Sequence, residues 1–253
     1  MTGRFTGKVA LVTGGGSGLG RGTALAFARE GATVVAVGRR DEPLAETVGL
    51  IEAEGGTASH ITADVADEAD VERMVATAVE RHGALDIAHN NAGIFGPSGP
   101  VADNDAAEWR SVIDANLVGV FLCMKYEIAH MREHGGGDIV NTSSTLGPHT
   151  RYPHYSAYSA AKAGMATLTR VAALDHVADK VRINIVSPGT IAGPLSKLPG
   201  ETDEERDARY APLVPLGRIG QVDDVAAAVL WLCSPESGFV VGHDLVIDGG
   251  LTA

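Results

Sequence analysis

The stretch Lys8-Val9-Ala10-Leu11-Val12-Thr13-Gly14-Gly15-Gly16-Ser17-Gly18-Leu19-Gly20 decides the fold. Its first half is a short apolar run rich in Val and Leu, the pattern of a buried strand. Its second half is a glycine turn, and a helical pattern follows over 21–30 with Gly31 as its stop. Strand, glycine turn and helix in that order give a glycine motif the setting of a dinucleotide site. Gly14 permits the tight turn. Gly18 and Gly20 let a pyrophosphate and the strand approach the backbone closely, and the helix N-terminus turns its free N–H groups towards phosphate. Ser17 and Leu19 belong to the same loop. The spacing is Gly-x-x-x-Gly-x-Gly, not the more usual Gly-x-Gly-x-x-Gly.

Working outward, strand and helix patterns alternate. Apolar runs near 8–13, 33–37, 58–63, 85–89, 138–142, 181–187 and 244–247 read as strands. Most are continuously apolar, as expected when helices cover both faces of a sheet. Between them lie amphipathic segments. In 67–82, Val71, Met74, Val75, Ala78 and Val79 mark one face and Gly83 ends the pattern. Right-handed crossovers then give an α/β fold, a doubly wound parallel sheet of Rossmann type. The 253 residues read as one domain, with no repeat, linker or low-complexity tract.

Composition narrows the function. The net charge of −12 disfavours nucleic acid and anionic membrane surfaces as partners. Cys123 and Cys233 lie in apolar helical patterns and read as core residues, and the nine histidines show no ligand spacing, so no metal is expected. No apolar export segment or run of membrane-spanning length is present, and a cytoplasmic location is expected.

The chemistry is carried by Tyr158-Ser159-Ala160-Ala161-Lys162. Positions i and i+4 share one face of a helix. A phenol is a poor base at neutral pH, and a neighbouring ammonium is expected to lower its pKa. With these motifs together, the chain resembles the short-chain dehydrogenases/reductases from about Gly7 to Gly250. Thr13-Gly14-x-x-x-Gly18-x-Gly20 is similar to that family's cofactor loop, and Asn90-Asn91-Ala92-Gly93 to its fourth-strand motif. Pro188-Gly189 and Asp248-Gly249-Gly250 also match.

The resemblance implies a catalytic set of Asn116, Ser144, Tyr158 and Lys162. Tyr158 would exchange a proton with the substrate oxygen, Lys162 would bind ribose hydroxyls, Ser144 would donate to the substrate oxygen, and Asn116 would hold a water. It also implies cofactor contacts at Asp64, Val65, Asn91, Ala92, Gly93, Pro188, Gly189 and Ile191, and a structural role for Asn90. Gly193 stands where the family usually keeps a threonine.

Cofactor choice is read after the second strand. In such folds an acid there holds the ribose 2′-hydroxyl and an arginine accommodates a 2′-phosphate. Here Gly38 takes the acid's place, with Arg39 and Arg40 following. A guanidinium suits phosphate, so NADP(H) is favoured, with NAD(H) as the alternative.

Three segments are expected to shape the pocket: 94–101, 145–155 and 194–213. The last reads as a lid with a capping box at Thr202-Asp203-Glu204-Glu205. His149, Tyr152, His154 and Tyr155 in the second suit a polar or ring-containing alcohol or ketone. The reading is therefore an NADP(H)-preferring alcohol dehydrogenase/carbonyl reductase. The rivals are a non-catalytic NAD(P)-sensing protein on the same fold and a sugar-nucleotide epimerase or dehydratase. Apolar residues on more than one face of 109–131, small residues in 156–176 and an apolar C-terminal stretch lead to a homotetramer as the expected assembly.

Overall fold

The computed structural model describes residues 3–253. Seven strands form one parallel sheet in the order β3-β2-β1-β4-β5-β6-β7. They are β1 (Val9–Thr13), β2 (Thr33–Gly38), β3 (Thr57–Thr62), β4 (Ile87–Asn90), β5 (Gly137–Thr142), β6 (Val181–Pro188) and β7 (Asp244–Ile247). The helices are α1 (Gly18–Arg29), α2 (Asp41–Ala53), α3 (Glu68–His82), α4 (Ala106–Ile113), α5 (Gly119–Glu133), α6 (Ser156–His176), α7 (Asp203–Tyr210) and α8 (Val222–Leu232).

Side chains alternate across the sheet and feed two cores. Leu11, Val35, Ala88, Ile139 and Ile183 pack with Val71 and Met74 of α3, Leu122 and Ile128 of α5, and Met165 of α6. Val12, Val34, Ile87, Val140 and Val186 pack with Phe27 of α1 and with Val225 and Val229 of α8. Helices therefore cover both faces, which is why every residue of β1 is buried. The strand order reverses between β1 and β4, and the carboxyl ends of the central strands meet the glycine turn there.

Two elements differ from expectation or refine it. The apolar pattern over 109–131 reads as one helix, but the chain forms α4, a π-turn at Asp114–Val118, and then α5. A π-turn is a one-residue widening of the helix, and side-chain insertion is one of its causes. Here Asn116 turns inward, donating to the Val112 carbonyl at 2.9 Å and the Ile94 carbonyl at 2.8 Å. In the 194–213 segment, Thr202 and Glu205 do form a reciprocal capping box at the start of α7. Of the apolar residues in 109–131 expected to need cover in an assembly, Val118 and Phe121 are exposed on the single chain, and so are Val171 and Leu174 of α6.

The sheet centre holds a buried polar cluster. Asn90 donates to Asn141 Oδ1 at 3.0 Å and to Glu127 Oε2 at 2.9 Å, and Asn141 donates to Thr169 Oγ1 at 2.9 Å. Asn90 is thus a tie between β4, β5 and α5. Burial pushes the Glu127 carboxyl up to about 7, with the Asn90 bond opposing the shift. Its Oε1 and Asn90 Oδ1 have no hydrogen-bond partner among the described residues.

The Glu127 carboxyl holds its proton more tightly folded than unfolded, so its contribution favours folding on the acid side. That contribution is lost as pH rises from about 4.5 through about 7. Glu127→Gln keeps the shape and removes the titration. Urea unfolding should show wild-type protein losing up to roughly 3 kcal/mol, relative to the variant, between those limits. A constant difference between the two across pH 4–8 (about the span of the titration) would overturn this reading.

Candidate active site

The glycine turn is built as a cradle. Gly14 and Gly18 have φ of +68° and +50°, in the left-handed region that favours glycine. A Cβ on Gly20 would lie 2.2 Å from the Gly14 carbonyl oxygen. The turn can close only with hydrogen at that position. Ser17 is exposed and extended at the N-terminus of α1, and Leu19 is half-buried beside it.

Thr13 connects this turn to the β4 loop. Its hydroxyl accepts from Asn91 N–H at 3.0 Å and Ala92 N–H at 3.1 Å, while the Asn91 side chain donates to the Thr13 carbonyl at 3.1 Å. Asn91 therefore spends its amide on the backbone in this structure. Gly93 lies against the catalytic candidates, since a Cβ there would fall 2.4 Å from Asn116 Oδ1 and 3.7 Å from Lys162 Nζ.

The remaining expected cofactor residues fall around the same rim. Arg39 and Arg40 are exposed just beyond Gly38. Asp64 is half-buried, its carboxylate accepting from Ala66 N–H at 3.0 Å, and Val65 is buried against Gly119. Pro188 ends β6, a Cβ on Gly189 would lie 2.7 Å from Asp248 Cβ, and Ile191 bridges to Gly220. Gly193 is extended, with φ of 164°, and has no atom within 4 Å of an added Cβ. The backbone there accepts any residue, so the departure from the usual threonine leaves the loop unstrained.

The four catalytic candidates come from three segments and meet at one place. Tyr158 and Lys162 share a face of α6, and both are buried. Lys162 Nζ lies 5.6 Å from the Tyr158 ring centre and donates to the Thr142 carbonyl at 2.7 Å. Ser144, just beyond β5, hydrogen-bonds the phenol and accepts from Leu146 N–H at 3.1 Å. Asn116 Oδ1 accepts from Ile94 N–H at 3.2 Å, completing the tie to the loop after β4.

The electrostatics correct one expectation. The phenol was expected to be lowered by Lys162, but burial pushes it up to about 12, opposed only by the Ser144 hydrogen bond. Burial also pulls Lys162 down to about 8. Desolvation disfavours the charged form of each, and it is the largest cause of both shifts.

Two contributors escaped the sequence reading, and a third, Phe95, was legible only as part of the 94–101 segment. The Thr142 carbonyl is a backbone group, invisible to side-chain patterns. His89, fully buried and pulled down to about 3 by desolvation, holds the Thr142 hydroxyl at 2.8 Å. Phe95 stacks on Tyr158 with ring centres 4.4 Å apart and planes 10° from parallel, and meets Tyr155 edge-on at 5.5 Å. Ile94, Trp109, Val112 and Leu146 complete this apolar wall. Gly96 of the same segment has φ of +74°, and a Cβ there would lie 2.1 Å from Val112 Cγ2. Among the described residues, no group of three or more His, Cys, Asp or Glu could hold a metal, and no helix is long and apolar enough to cross a membrane.

A doubly wound sheet with a glycine cradle at its reversal point defines a dinucleotide-binding α/β protein. Residues 14–252 match the family profile described as enoyl-(acyl carrier protein) reductase. The chain is 41% identical over 253 residues to cyclohexanol dehydrogenase of Acinetobacter sp. (strain SE19), covering 100% of this chain and 98% of that one. It is 41% identical over 250 residues to cis-4-hydroxycyclohexanecarboxylate dehydrogenase of Sinomonas cyclohexanicum, covering 98% of each. The crystal structure of levodione reductase superposes with a TM-score of 0.92 at 37% identity, covering 98% of this chain and 99% of that one. The chain belongs to the short-chain dehydrogenase/reductase family, and it is an oxidoreductase of that family.

A methyl group at Gly20 should force the turn open. Gly20→Ala is expected to weaken nicotinamide-dinucleotide binding at least tenfold (about 1.4 kcal/mol) in titration calorimetry and to lower Tm, since the methyl meets backbone. Unchanged affinity would show that the turn is not the cradle.

Proposed function

We propose that the protein interconverts a secondary alcohol and its ketone with NADP(H), the hydroxyl being carried on an apolar six-membered ring. The observation that carries the reading is the meeting of Ser144, Tyr158 and Lys162 under the aromatic wall of Phe95. The glycine turn has room for a pyrophosphate only because no Cβ fills it, which fits a dinucleotide. Gly14, Ser17, Gly18, Leu19 and Gly20 would hold the pyrophosphate, with Asp64, Val65, Asn91, Ala92, Gly93, Pro188, Gly189 and Ile191 along the rest of the molecule. A bound nicotinamide supplies the hydride acceptor for oxidation and the donor for reduction.

The protein's own task is one proton. In reduction, Tyr158 gives its Oη proton to the carbonyl oxygen; in oxidation, the phenolate takes the alcohol proton. Ser144 donates to the same oxygen, where charge develops. Lys162, held by the Thr142 carbonyl, keeps a positive charge near the phenol below about 8. Asn116 fixes the loop after β4 through Ile94.

The ring substrate draws support from two directions. The wall of Ile94, Phe95, Trp109 and Leu146 is apolar, with two aromatic rings. Relatives at similar identity are named for cyclic alcohols, among them 2,5-dichloro-2,5-cyclohexadiene-1,4-diol dehydrogenase of Sphingobium indicum at 38% over 250 residues. NADP(H) preference rests on the exposed Arg39 and Arg40 beyond Gly38, where an acid would otherwise exclude a 2′-phosphate.

Tyr158→Phe removes the proton donor and keeps the ring. With cyclohexanol or cyclohexanone and either cofactor, kcat should fall on the order of 10²- to 10⁴-fold while cofactor affinity holds. Because the phenol is raised to about 12, wild-type oxidation should accelerate as pH rises through the alkaline range. Near-full turnover by the variant would remove Tyr158 from the chemistry. Tight cofactor binding without turnover of any alcohol or ketone would favour the sensing protein instead.

Wild-type enzyme should prefer NADP(H) in kcat/KM. An added Cβ at Gly38 meets nothing nearer than Leu44 at 3.5 Å, so Gly38→Asp fits without strain. That variant should shift preference towards NAD(H) by about tenfold or more, since a carboxylate repels the 2′-phosphate. Wild-type preference for NAD(H) would refute the role of Arg39.

A further inference from the structure

Beyond β5 the chain makes a tight turn over Thr145–Thr150. His149 N–H and Thr150 N–H both bond the Thr145 carbonyl, at 3.1 and 2.8 Å, and Gly147 N–H bonds the Thr150 carbonyl at 2.9 Å. Leu146 sits inside this turn, and its N–H donates to Ser144 Oγ at 3.1 Å. That bond occupies a lone pair of the serine oxygen and leaves the hydroxyl hydrogen to point elsewhere. The placement of the turn therefore sets where the Ser144 hydroxyl can donate.

One side chain of the turn reaches out of it. His149 Nε2 lies 3.0 Å from Asp244 Oδ2, at the first residue of β7. Asp244 belongs to the far edge of the sheet, yet its side chain is only 4% exposed. It gathers groups from three elements: Ser187 Oγ of β6 donates to Oδ1 at 2.5 Å, and Arg170 Nη2 of α6 joins His149 on Oδ2 at 3.1 Å. A carboxylate so enclosed and so bonded is a rigid anchor. No other side chain of the 145–150 turn bonds outside the turn among the described contacts.

We propose that Asp244 is a positioning residue for the reaction: through His149 it holds the 145–150 turn, and through the Leu146 N–H it aims the Ser144 hydroxyl at the substrate oxygen. The proposal rests on the assignment of Ser144 to that oxygen. Arg170 serves the anchor as a second arm and has no path to the turn, so the two arms of one carboxylate have separable effects. Small misplacement of a hydrogen-bond donor is costly in such sites.

The test is a set of single and double variants assayed with cyclohexanol and NADP⁺. Asp244→Asn should lower kcat about tenfold, with the cofactor KM changed less than about twofold. His149→Ala cuts the same link from its more exposed end and should reproduce that loss, so the test survives if Asp244→Asn folds poorly. Arg170→Met should lower Tm but leave kcat within about twofold. In a Ser144→Ala background, Asp244→Asn and His149→Ala should each cost less than about twofold, because the hydroxyl they aim is gone. A full tenfold loss in that background, or wild-type kcat in both His149→Ala and Asp244→Asn, would overturn the proposal. Tyr158→Phe runs alongside: if it alone loses activity, the reaction stands and only the anchor fails.

Discussion

Everything in the catalytic corner hangs on the amide of Asn90. It bonds the neighbouring strand through Asn141 and the helix beneath through Glu127, and Asn141 carries the chain of bonds on to Thr169 of α6. The register of β4 against β5 decides where Thr142 and Ser144 emerge. The seating of α6 decides where Tyr158 and Lys162 point, since Thr169, Lys162 and Tyr158 lie along one side of that helix. A buried polar group without its partner costs about 1–3 kcal/mol, so slippage of any of these elements would strand several at once.

The same burial that fixes the geometry sets the resting protonation. With Lys162 near 8 and Tyr158 near 12, neutral solution leaves an ammonium beside an intact phenol. In the proposed reaction, that is the state of a proton donor. Working as a base requires the phenol to lose a proton that the apolar wall protects. Phe95 covers one face of the ring and so shields the phenol from water.

Much of this could be read from residue order because the relevant forces are local. Continuous apolar runs mark strands covered on both faces, and the glycines at 14, 18 and 20 mark backbone that cannot carry a Cβ. The helix boundaries at Gly31 and Gly83 followed from left-handed glycines. The missed features depend on contacts between distant segments. The π-turn at Asp114–Val118 arises because Asn116 bonds Ile94 from another element. The direction of the Tyr158 shift depends on burial, which an i,i+4 pair does not encode. The enclosure of Asp244 joins residues of β6, β7, α6 and the 145–150 turn, and no spacing rule connects them.

The strand order also dictates when the protein can become itself. β1 leaves the beginning of the chain, yet one of its flanks is filled by β4: Ala10 pairs with Ile87, 77 residues further on. On a ribosome, β1, β2 and β3 can pair as soon as they emerge, but half of the central strand then waits with its backbone groups unpaired. Asn90 arrives with β4 and must wait again for Glu127 and Asn141. Parallel pairing of this kind closes long loops before it is rewarded, which slows folding. The nascent chain therefore passes through a stage with an open apolar strand edge at its centre, and its exposure to aggregation is set by synthesis of the middle third.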